Sequence, residues 1–191
     1  EGALWTWQMI EAGRTTEAPH QKRIVVGVDP AASKGGDETG ILVAGVGADT
    51  EGYVLADRSL QGSPDTWAAE VVAAYHEFDA DRIVAEKNNG GDMVESTIRT
   101  VDPTVPVKLV WASKGKQTRA EPVAALYEQG RIHHAGTFPD LETQLTGWTP
   151  EDADSPDRLD ALVWAITDLM LDRRPVPDVG PVSVTGASVW R

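Results

Sequence analysis

Apolar segments with strand-like character open the body of the chain. RIVVGVD begins at Arg23, TGILVAGVGA follows from Thr39, and GYVLADRSL follows from Gly52. RIVVGVD is a short apolar run rich in β-branched residues, which is typical of a buried strand, and a glycine-containing turn separates the second segment from the third. This pattern predicts three consecutive buried strands, arranged as an antiparallel meander.

Strands and helices then alternate toward the C-terminus. Ser63 followed by Pro64 has the residue types of an N-cap and a first helical position, so we expect a helix there. DRIVAE and VPVKLVW predict a fourth and a fifth strand. Further helices are expected after NNGG, over KQTRAEPVAALYEQG, over FPDLETQLTGW, and from SPD onward through RLDALVWAITDLML. The order predicts an α/β domain with a mixed sheet of five or more strands flanked by helices.

The two ends of the chain lack the patterning of the body. Residues 1–22 contain a short stretch with helical spacing, followed by the linker-like TTEAPHQK, and residues 175–191 are rich in Pro, Gly and Ser. We therefore expect a lead-in or linker over residues 1–22, one folded domain over residues 23–174, and a flexible tail over residues 175–191.

Composition narrows the possible functions. The 191 residues include no cysteine, which excludes disulfides and thiolate metal sites. No apolar run has membrane-spanning length, and no secretory leader is visible. The net charge of −13 argues against strong stand-alone binding to nucleic acid, because phosphate binding depends on Lys and Arg. Carboxylates clustered around divalent cations would reverse the local field, so a DNA-binding site stays possible, as does a protein that never contacts DNA.

Several carboxylates lie at positions in the predicted elements where burial would remove their hydration at a cost in free energy. Asp29 ends the first strand, Glu86 ends the fourth, and Asp160 lies in the last helix directly before ALVWAI. Asp157 lies three residues before Asp160 and so shares its helix face. A buried carboxylate is unfavourable unless it is paired or binds a cation, and an all-oxygen ligand set suits Mg²⁺ or Mn²⁺. Each acid alone is more often a turn former or a cap, so the hypothesis depends on their combination.

Weaker candidates lie in the loops. Asp37, in the Gly-rich segment DPAASKGGDETG, could approach a metal through water, and an exposed turn acid is an equally good interpretation. Cations that could contact a DNA backbone occur in the same loops and at one strand-to-helix junction. They are Lys34, Lys87, Lys114, Lys116 and Arg119. No phosphate-binding loop of the GxxxxGK[ST] type occurs in the chain, so we expect no ATPase activity of that kind from it.

Several segments jointly resemble the nuclease domain of the terminase large subunits of tailed bacteriophages. They are VVGVDPAASKGGDETGI, VAEKNNGG, KGKQTRAEPVAALYEQGRI and SPDRLDALVWA, and the resemblance extends over about residues 23–173. The segment GALWTWQMIEAGR is similar to the end of that family's ATPase domain and the linker that follows it.

The resemblance implies a ribonuclease H-like fold and an endonuclease with two Mg²⁺ or Mn²⁺ ions that cuts concatemeric viral DNA during packaging. It implies that Asp29, Glu86 and Asp160 bind the metals, that Asp157 is an auxiliary ligand, and that Asp37 is a further acid near the site. The implied partners are double-stranded DNA, an N-terminal ATPase domain of the same polypeptide, the portal and the small terminase subunit. The implied location is the host cytoplasm, transiently at the procapsid portal and not in the mature virion, with no membrane association.

Two other hypotheses stay open from the sequence. One is another ribonuclease H-like nuclease, of the resolvase or transposase type, although such enzymes usually need a strong DNA-binding surface of their own. The other is a non-catalytic docking module of the same fold, in which the acids are structural. An actin-like nucleotide-binding domain also opens with a strand, an Asp and a Gly-rich loop, but it needs a duplicated subdomain and therefore a longer chain.

Overall fold

The predicted three-strand meander forms the centre of a mixed sheet in the computed structural model, which describes residues 2–30, 38–87, 92–152 and 156–172. The eight strands described are β1 (Arg14–Thr15), β2 (Gln21–Asp29), β3 (Glu38–Gly47), β4 (Gly52–Asp57), β5 (Leu60–Gln61), β6 (Arg82–Glu86), β7 (Val107–Val110) and β8 (Ile132–Ala135). Strands β2, β3 and β4 are antiparallel, whereas β6 and β7 continue the sheet parallel to β2. The full order is β1-β8-β4-β3-β2-β6-β7, with the short β5 beside β3.

Helices cover both faces of this sheet. They are α1 (Trp7–Ala12), α2 (Pro64–Glu77), α3 (Asp92–Val101), α4 (Lys116–Glu128), α5 (Pro139–Gly147) and α6 (Asp157–Ile166), and a π-helical turn over Thr167–Leu171 extends α6. The predicted start of α2 is confirmed, because the Ser63 hydroxyl accepts a hydrogen bond from the Thr66 amide and Pro64 opens the helix. The fold class is therefore the mixed α/β arrangement that the sequence predicts.

The alternation of side chains along each strand divides the interior into two cores. Val25 of β2 and Val84 of β6 face α6, together with α1, α4 and α5, whereas their neighbours Val26 and Ile83 face α2 and α3. Because side chains alternate with period two, Asp29 and Glu86 lie on the same face as Val25 and Val84. That is the face that α6 covers.

Two glycines let α6 lie directly against the sheet. A Cβ at Gly27 would be 2.3 Å from the carbonyl oxygen of Ala161, and a Cβ at Gly40 would be 2.0 Å from the carbonyl oxygen of Asp157. Both distances are far below van der Waals contact, so neither position has space for a side chain while α6 keeps its place. The helix that carries Asp157 and Asp160 is thus as close to β2 and β3 as backbone atoms permit.

The C-terminal end of this helical segment is fixed by a buried carboxylate. Asp168 is 1% exposed at its side chain and accepts charge-assisted hydrogen bonds from Arg23, Arg82 and Lys108 at 2.7–3.1 Å. These cations come from the starts of β2 and β6 and from β7. The cluster therefore ties the π-helical turn to one end of the sheet, opposite the strand ends that carry Asp29 and Glu86.

The segment before β2 packs onto the same body. Trp5 and Ile10 are 1% exposed, and the Trp5 ring meets Tyr127 of α4 edge-on at 6.2 Å. Strand β1 adds to β8, and the Arg14 guanidinium donates to Glu142 of α5 at 2.8 Å. The boundaries at residues 22 and 174 stay predictions, and the predicted tail over residues 175–191 lies outside the described residues.

No helix among the described residues has both the length and the apolar character needed to cross a lipid bilayer.

Candidate metal centre

Two of the predicted ligands lie side by side at the ends of parallel strands. Strands β2 and β6 pair in register, with Val28 opposite Ala85, so Asp29 and Glu86 are the next residues of adjacent strands. Both side chains face α6 and are largely buried, at 8% and 9% exposure. The pairing of these two strands therefore places the two carboxylates together.

Helix α6 adds the third carboxylate. Asp160 is 5% exposed, and its oxygen, one of Asp29 and one of Glu86 all lie within 4.8 Å of one another. Asp157 is less buried and lies one helical turn earlier on the same helix. Its negative charge contributes to raising the pKa of Asp29, which places it in the electrostatic neighbourhood of the cluster.

The start of α6 is positioned by neighbouring elements. The predicted N-cap Ser155 lies outside the described residues, and Pro156 precedes the first helical residue, Asp157. The Gln144 side chain of α5 accepts hydrogen bonds from the amides of Arg158 and Leu159 at 3.1 and 3.3 Å, which satisfies two donors of the first turn.

Arg158 holds the first turn of α6 on the sheet. Its Nε donates to Asp57 of β4 at 2.8 Å, and its guanidinium also pairs with Glu38 of β3. The residue lies between Asp157 and Asp160 in the sequence, so these bonds set the rotation of α6 that turns both acids toward Asp29.

The electrostatics of the cluster favour a bound cation. The pKa of Asp29 is raised well above its usual value, first because burial removes hydration from the carboxylate, and then because Asp160, Glu86 and Asp157 repel its charge. Lys116 opposes this effect but does not cancel it. A divalent cation among these oxygens would relieve both the desolvation and the repulsion.

The ligand chemistry fits Mg²⁺ or Mn²⁺. Asp29, Glu86 and Asp160 supply only hard carboxylate oxygens, and the chain has no cysteine to provide a thiolate. The histidines with described positions in the sheet are engaged elsewhere, since His134 contacts Glu142 and Tyr127 in the buried core and His133 pairs with Glu51. An oxygen-only, partly buried set is the kind that hard divalent cations prefer.

Glu86 is oriented by Trp164, a residue that the sequence interpretation did not identify. The indole Nε1 of Trp164, two turns along α6 from Asp157, donates to Glu86 Oε2 at 2.7 Å. The guanidinium of Arg119 stacks over the same indole at 4.6 Å, with Nη1 3.5 Å from Glu86 Oε2. Trp164 looks like an ordinary apolar position of α6 in sequence, and only its place opposite a strand-end acid indicates this role.

The predicted DNA-contact cations divide into two groups. Lys116 and Arg119 of α4 lie over the carboxylates, with Lys116 Nζ 3.9 Å from Asp160 Oδ2. Lys87 follows Glu86 and places its ammonium 5.2 Å from the centre of the Trp111 ring, and Lys114 is exposed in the segment between β7 and α4. The other predicted positions in the first loop, Lys34 and Asp37, lie outside the described residues.

Comparisons with known proteins agree with this fold. Residues 26–169 match the family model described as the terminase RNaseH-like domain. A search of the curated proteins finds no match. Solved structures of phage large terminases are among those that share the fold.

The large terminase nuclease of thermophilic phage G20c is 14% identical, with a TM-score of 0.63 over 88% of this chain and 100% of that one. The nuclease domain of the large terminase subunit of bacterial virus Sf6 is 12% identical, with a TM-score of 0.64 over 86% of this chain and 98% of that one. The large terminase of bacteriophage HK97 is 12% identical, with a TM-score of 0.61 over 87% of this chain, which spans only 43% of the phage protein. The family match extends over most of the folded body and includes every carboxylate of the cluster, so the chain belongs to the terminase ribonuclease H-like domain family.

Proposed function

We propose that this chain is the metal-dependent DNA endonuclease domain of a viral terminase large subunit. The observation that carries the proposal is the convergence of Asp29, Glu86 and Asp160, from two parallel strand ends and the helix that crosses them, with ligand oxygens within 4.8 Å of one another. Such clustered carboxylates are unfavourable in isolation and are the ligand set of metal-assisted phosphodiester hydrolysis.

The residues of the site have two roles, metal binding and positioning of the metal ligands. Asp29, Glu86 and Asp160 would hold two Mg²⁺ or Mn²⁺ ions, with Asp157 as an auxiliary ligand. The bound metals would supply an activated water and neutralise charge on the leaving oxygen. Trp164 fixes the orientation of Glu86, and Arg158 and Gln144 fix α6, so the ligands are preorganised before DNA arrives.

The relatives support the metal and the setting. The G20c nuclease has been solved with bound zinc and the Sf6 domain with manganese. Because the chain spans 43% of the HK97 large terminase, we propose that it acts beside an N-terminal ATPase domain of the same polypeptide. Cutting of concatemeric double-stranded DNA in the host cytoplasm, with the portal and the small terminase subunit as partners, belongs to the same proposal. The net charge of −13 indicates that this domain alone binds DNA weakly.

Plasmid cleavage at low ionic strength tests the nuclease proposal. Supercoiled plasmid is incubated with the domain in Mg²⁺, in Mn²⁺ and with a chelator, and the products are separated on a gel. We expect nicked and then linear DNA with either metal, no product with the chelator, and a steep loss of cutting as salt is added.

Cutting that persists in the chelator would contradict a metal-dependent mechanism. Absence of cutting in both metals, also when the full-length terminase is assayed, would instead favour a non-catalytic docking module of the same fold.

A further inference from the structure

We infer that Arg119 and the N-terminal turn of α4 form a binding site for the DNA phosphodiester that is cut, directly beside the carboxylate cluster. The inference rests on the proposed nuclease function and assigns the substrate-binding half of that site. The proposed ligand is a phosphodiester oxygen rather than a base, so we expect this site to bind the DNA backbone without sequence preference.

The Arg119 side chain is buried, and two of its N–H groups have no hydrogen-bond acceptor among the described residues. Its side chain is 9% exposed, and Nε and Nη1 are both inaccessible to solvent without a hydrogen-bond partner among the described residues. The nearest carboxylate oxygen, Glu86 Oε2, is 3.5 Å from Nη1, too far for a good hydrogen bond. Buried guanidinium donors are costly when unsatisfied, so their retention here indicates a ligand that completes them.

Stacking on Trp164 holds this guanidinium in place, in addition to its 3.5 Å ion pair with Glu86. Trp164 supports one face of it at 4.6 Å, and the same indole gives its N–H to Glu86 Oε2 at 2.7 Å. Glu86 therefore receives its short hydrogen bond from Trp164 and does not depend on Arg119 for its orientation. The guanidinium is preorganised at the edge of the metal cluster, and Nη2, which is not one of its buried donors, is the nitrogen that an incoming anion meets first.

The start of α4 adds positive potential at the same place. Lys116 is the first residue of this 13-residue helix and lies one turn before Arg119, so both side chains occupy one face. The N-cap is Gly115, which provides no capping side chain, and a Cβ built there meets nothing within 4 Å. The partial positive charge of the helix N-terminus adds to the charge of these two cations, which suits a phosphate group.

A phosphodiester fits this arrangement better than a carboxylate of the protein. Glu86 Oε2 lies 3.5 Å from Arg119 Nη1, and Asp160 Oδ2 lies 3.9 Å from Lys116 Nζ. Metals that take up the charge of these carboxylates would leave the positive charge of Arg119 uncompensated beside the cluster. A planar guanidinium matches two oxygens of a tetrahedral phosphate, which is the geometry of the expected substrate.

The test compares Arg119→Met, Arg119→Lys and the control Arg99→Met with the wild-type domain. Arg99 is a suitable control because it is a more exposed arginine, paired with Glu95 within α3. DNA binding is measured by fluorescence anisotropy of a short duplex in Ca²⁺, over a range of salt concentrations, and Mn²⁺ affinity is measured by calorimetry without DNA. Cleavage in Mg²⁺ gives the half-saturating DNA concentration and the maximal rate.

We expect Arg119→Met to weaken DNA binding by about tenfold or more and to reduce the slope of log affinity against log salt by about 0.9, the value for one lost phosphate contact. Arg119→Lys should recover the salt slope but only part of the affinity, because an ammonium lacks the planar fork. The Mn²⁺ affinity should stay within about twofold of wild type, and Arg99→Met should change none of these quantities.

Unchanged DNA affinity and salt slope in Arg119→Met would overturn the inference. The inference would also be overturned if Arg119→Met bound Mn²⁺ more weakly and saturating metal restored its DNA binding and cleavage. Arg119 would then act only through Glu86. Failure of both the wild-type domain and the full-length terminase to cut plasmid contradicts the proposed nuclease function instead, because the anisotropy measurement does not depend on cleavage. Wild-type protein that does not bind DNA at all would contradict the phosphodiester site.

Discussion

Asp29→Asn should lower the rate of metal-dependent cleavage by about a thousandfold or more, because removing one carboxylate from the metal cluster forfeits several kcal/mol of transition-state stabilisation. The amide of asparagine has nearly the same shape as the carboxyl group, so the fold should be unchanged. Single-turnover plasmid cleavage in Mg²⁺ and Mn²⁺ measures the effect. Asp79→Asn is the matched control, since it makes the same chemical change at an exposed position after α2.

The same substitution should stabilise the domain when no metal is present. Burial and the neighbouring acids raise the pKa of Asp29 in the folded state, whereas the unfolded chain titrates near the ordinary value of about 3.9. The folded state therefore binds this proton more tightly. The resulting stability is fully present below about pH 4 and is lost as the pH rises through the raised pKa.

Denaturant unfolding in chelator, repeated from acidic to neutral pH, tests the direction of this pH dependence of stability. The stability of Asp29→Asn relative to wild type should increase as the pH rises, and the order should reverse when Mn²⁺ is added, because only the wild type gains the full metal stabilisation. A variant that cuts plasmid at the wild-type rate, or that unfolds more easily than wild type in chelator at neutral pH, would contradict the assignment of Asp29.

Gly40→Ala should destabilise the domain by about 3 kcal/mol, at the upper end of the usual cost of overpacking. The added Cβ would be 2.0 Å from the carbonyl oxygen of Asp157 and 2.5 Å from its carbon. Both are backbone atoms of α6, so no side-chain rotation relieves the clash and the helix itself must move. For a chain of this size the change corresponds to a melting temperature lower by roughly 6–12 °C.

The clash at Gly40 also predicts a functional effect. Gly40 pairs with Asp29 across β2 and β3 and lies under the first turn of α6, so displacement of that turn separates Asp157 and Asp160 from Asp29. We expect Mn²⁺ affinity and cleavage to fall together with stability. Gly147→Ala is the control, because a Cβ there meets nothing within 4 Å and the residue ends α5. Equal melting temperatures for Gly40→Ala and Gly147→Ala would show that α6 does not depend on this close approach.

The parts of the fold that sequence predicted are those with strong local patterns. The β-branched runs that became β2, β3 and β6, and the Ser63-Pro64 start of α2, specify their elements within a few residues. The carboxylates Asp29 and Glu86 could be singled out because each ends such a run. Asp160 could be singled out because it interrupts an apolar helix face. These signals are local, so one sequence contains them.

The relations between elements could not be predicted in the same way. The sequence gives no measure of how closely α6 approaches the sheet, and Gly27 and Gly40 look like ordinary glycines in strands until the helix is placed over them. The capping of α6 by Gln144, and the contact of Trp164 with Glu86, each join residues that are distant in sequence. Short strands β1 and β5 carry too few residues to show any periodicity.

The position of bound Mn²⁺ in crystals of the domain is the most direct test of whether Asp29, Glu86 and Asp160 form a metal centre. Anomalous scattering from crystals soaked in Mn²⁺ locates the metal without reference to activity. We expect anomalous peaks within bonding distance of the carboxylate oxygens of Asp29, Glu86 and Asp160, and their loss in Asp29→Asn crystals soaked in the same way. Peaks only elsewhere on the protein, or no peak at saturating Mn²⁺, would contradict the assignment of these carboxylates as a metal centre.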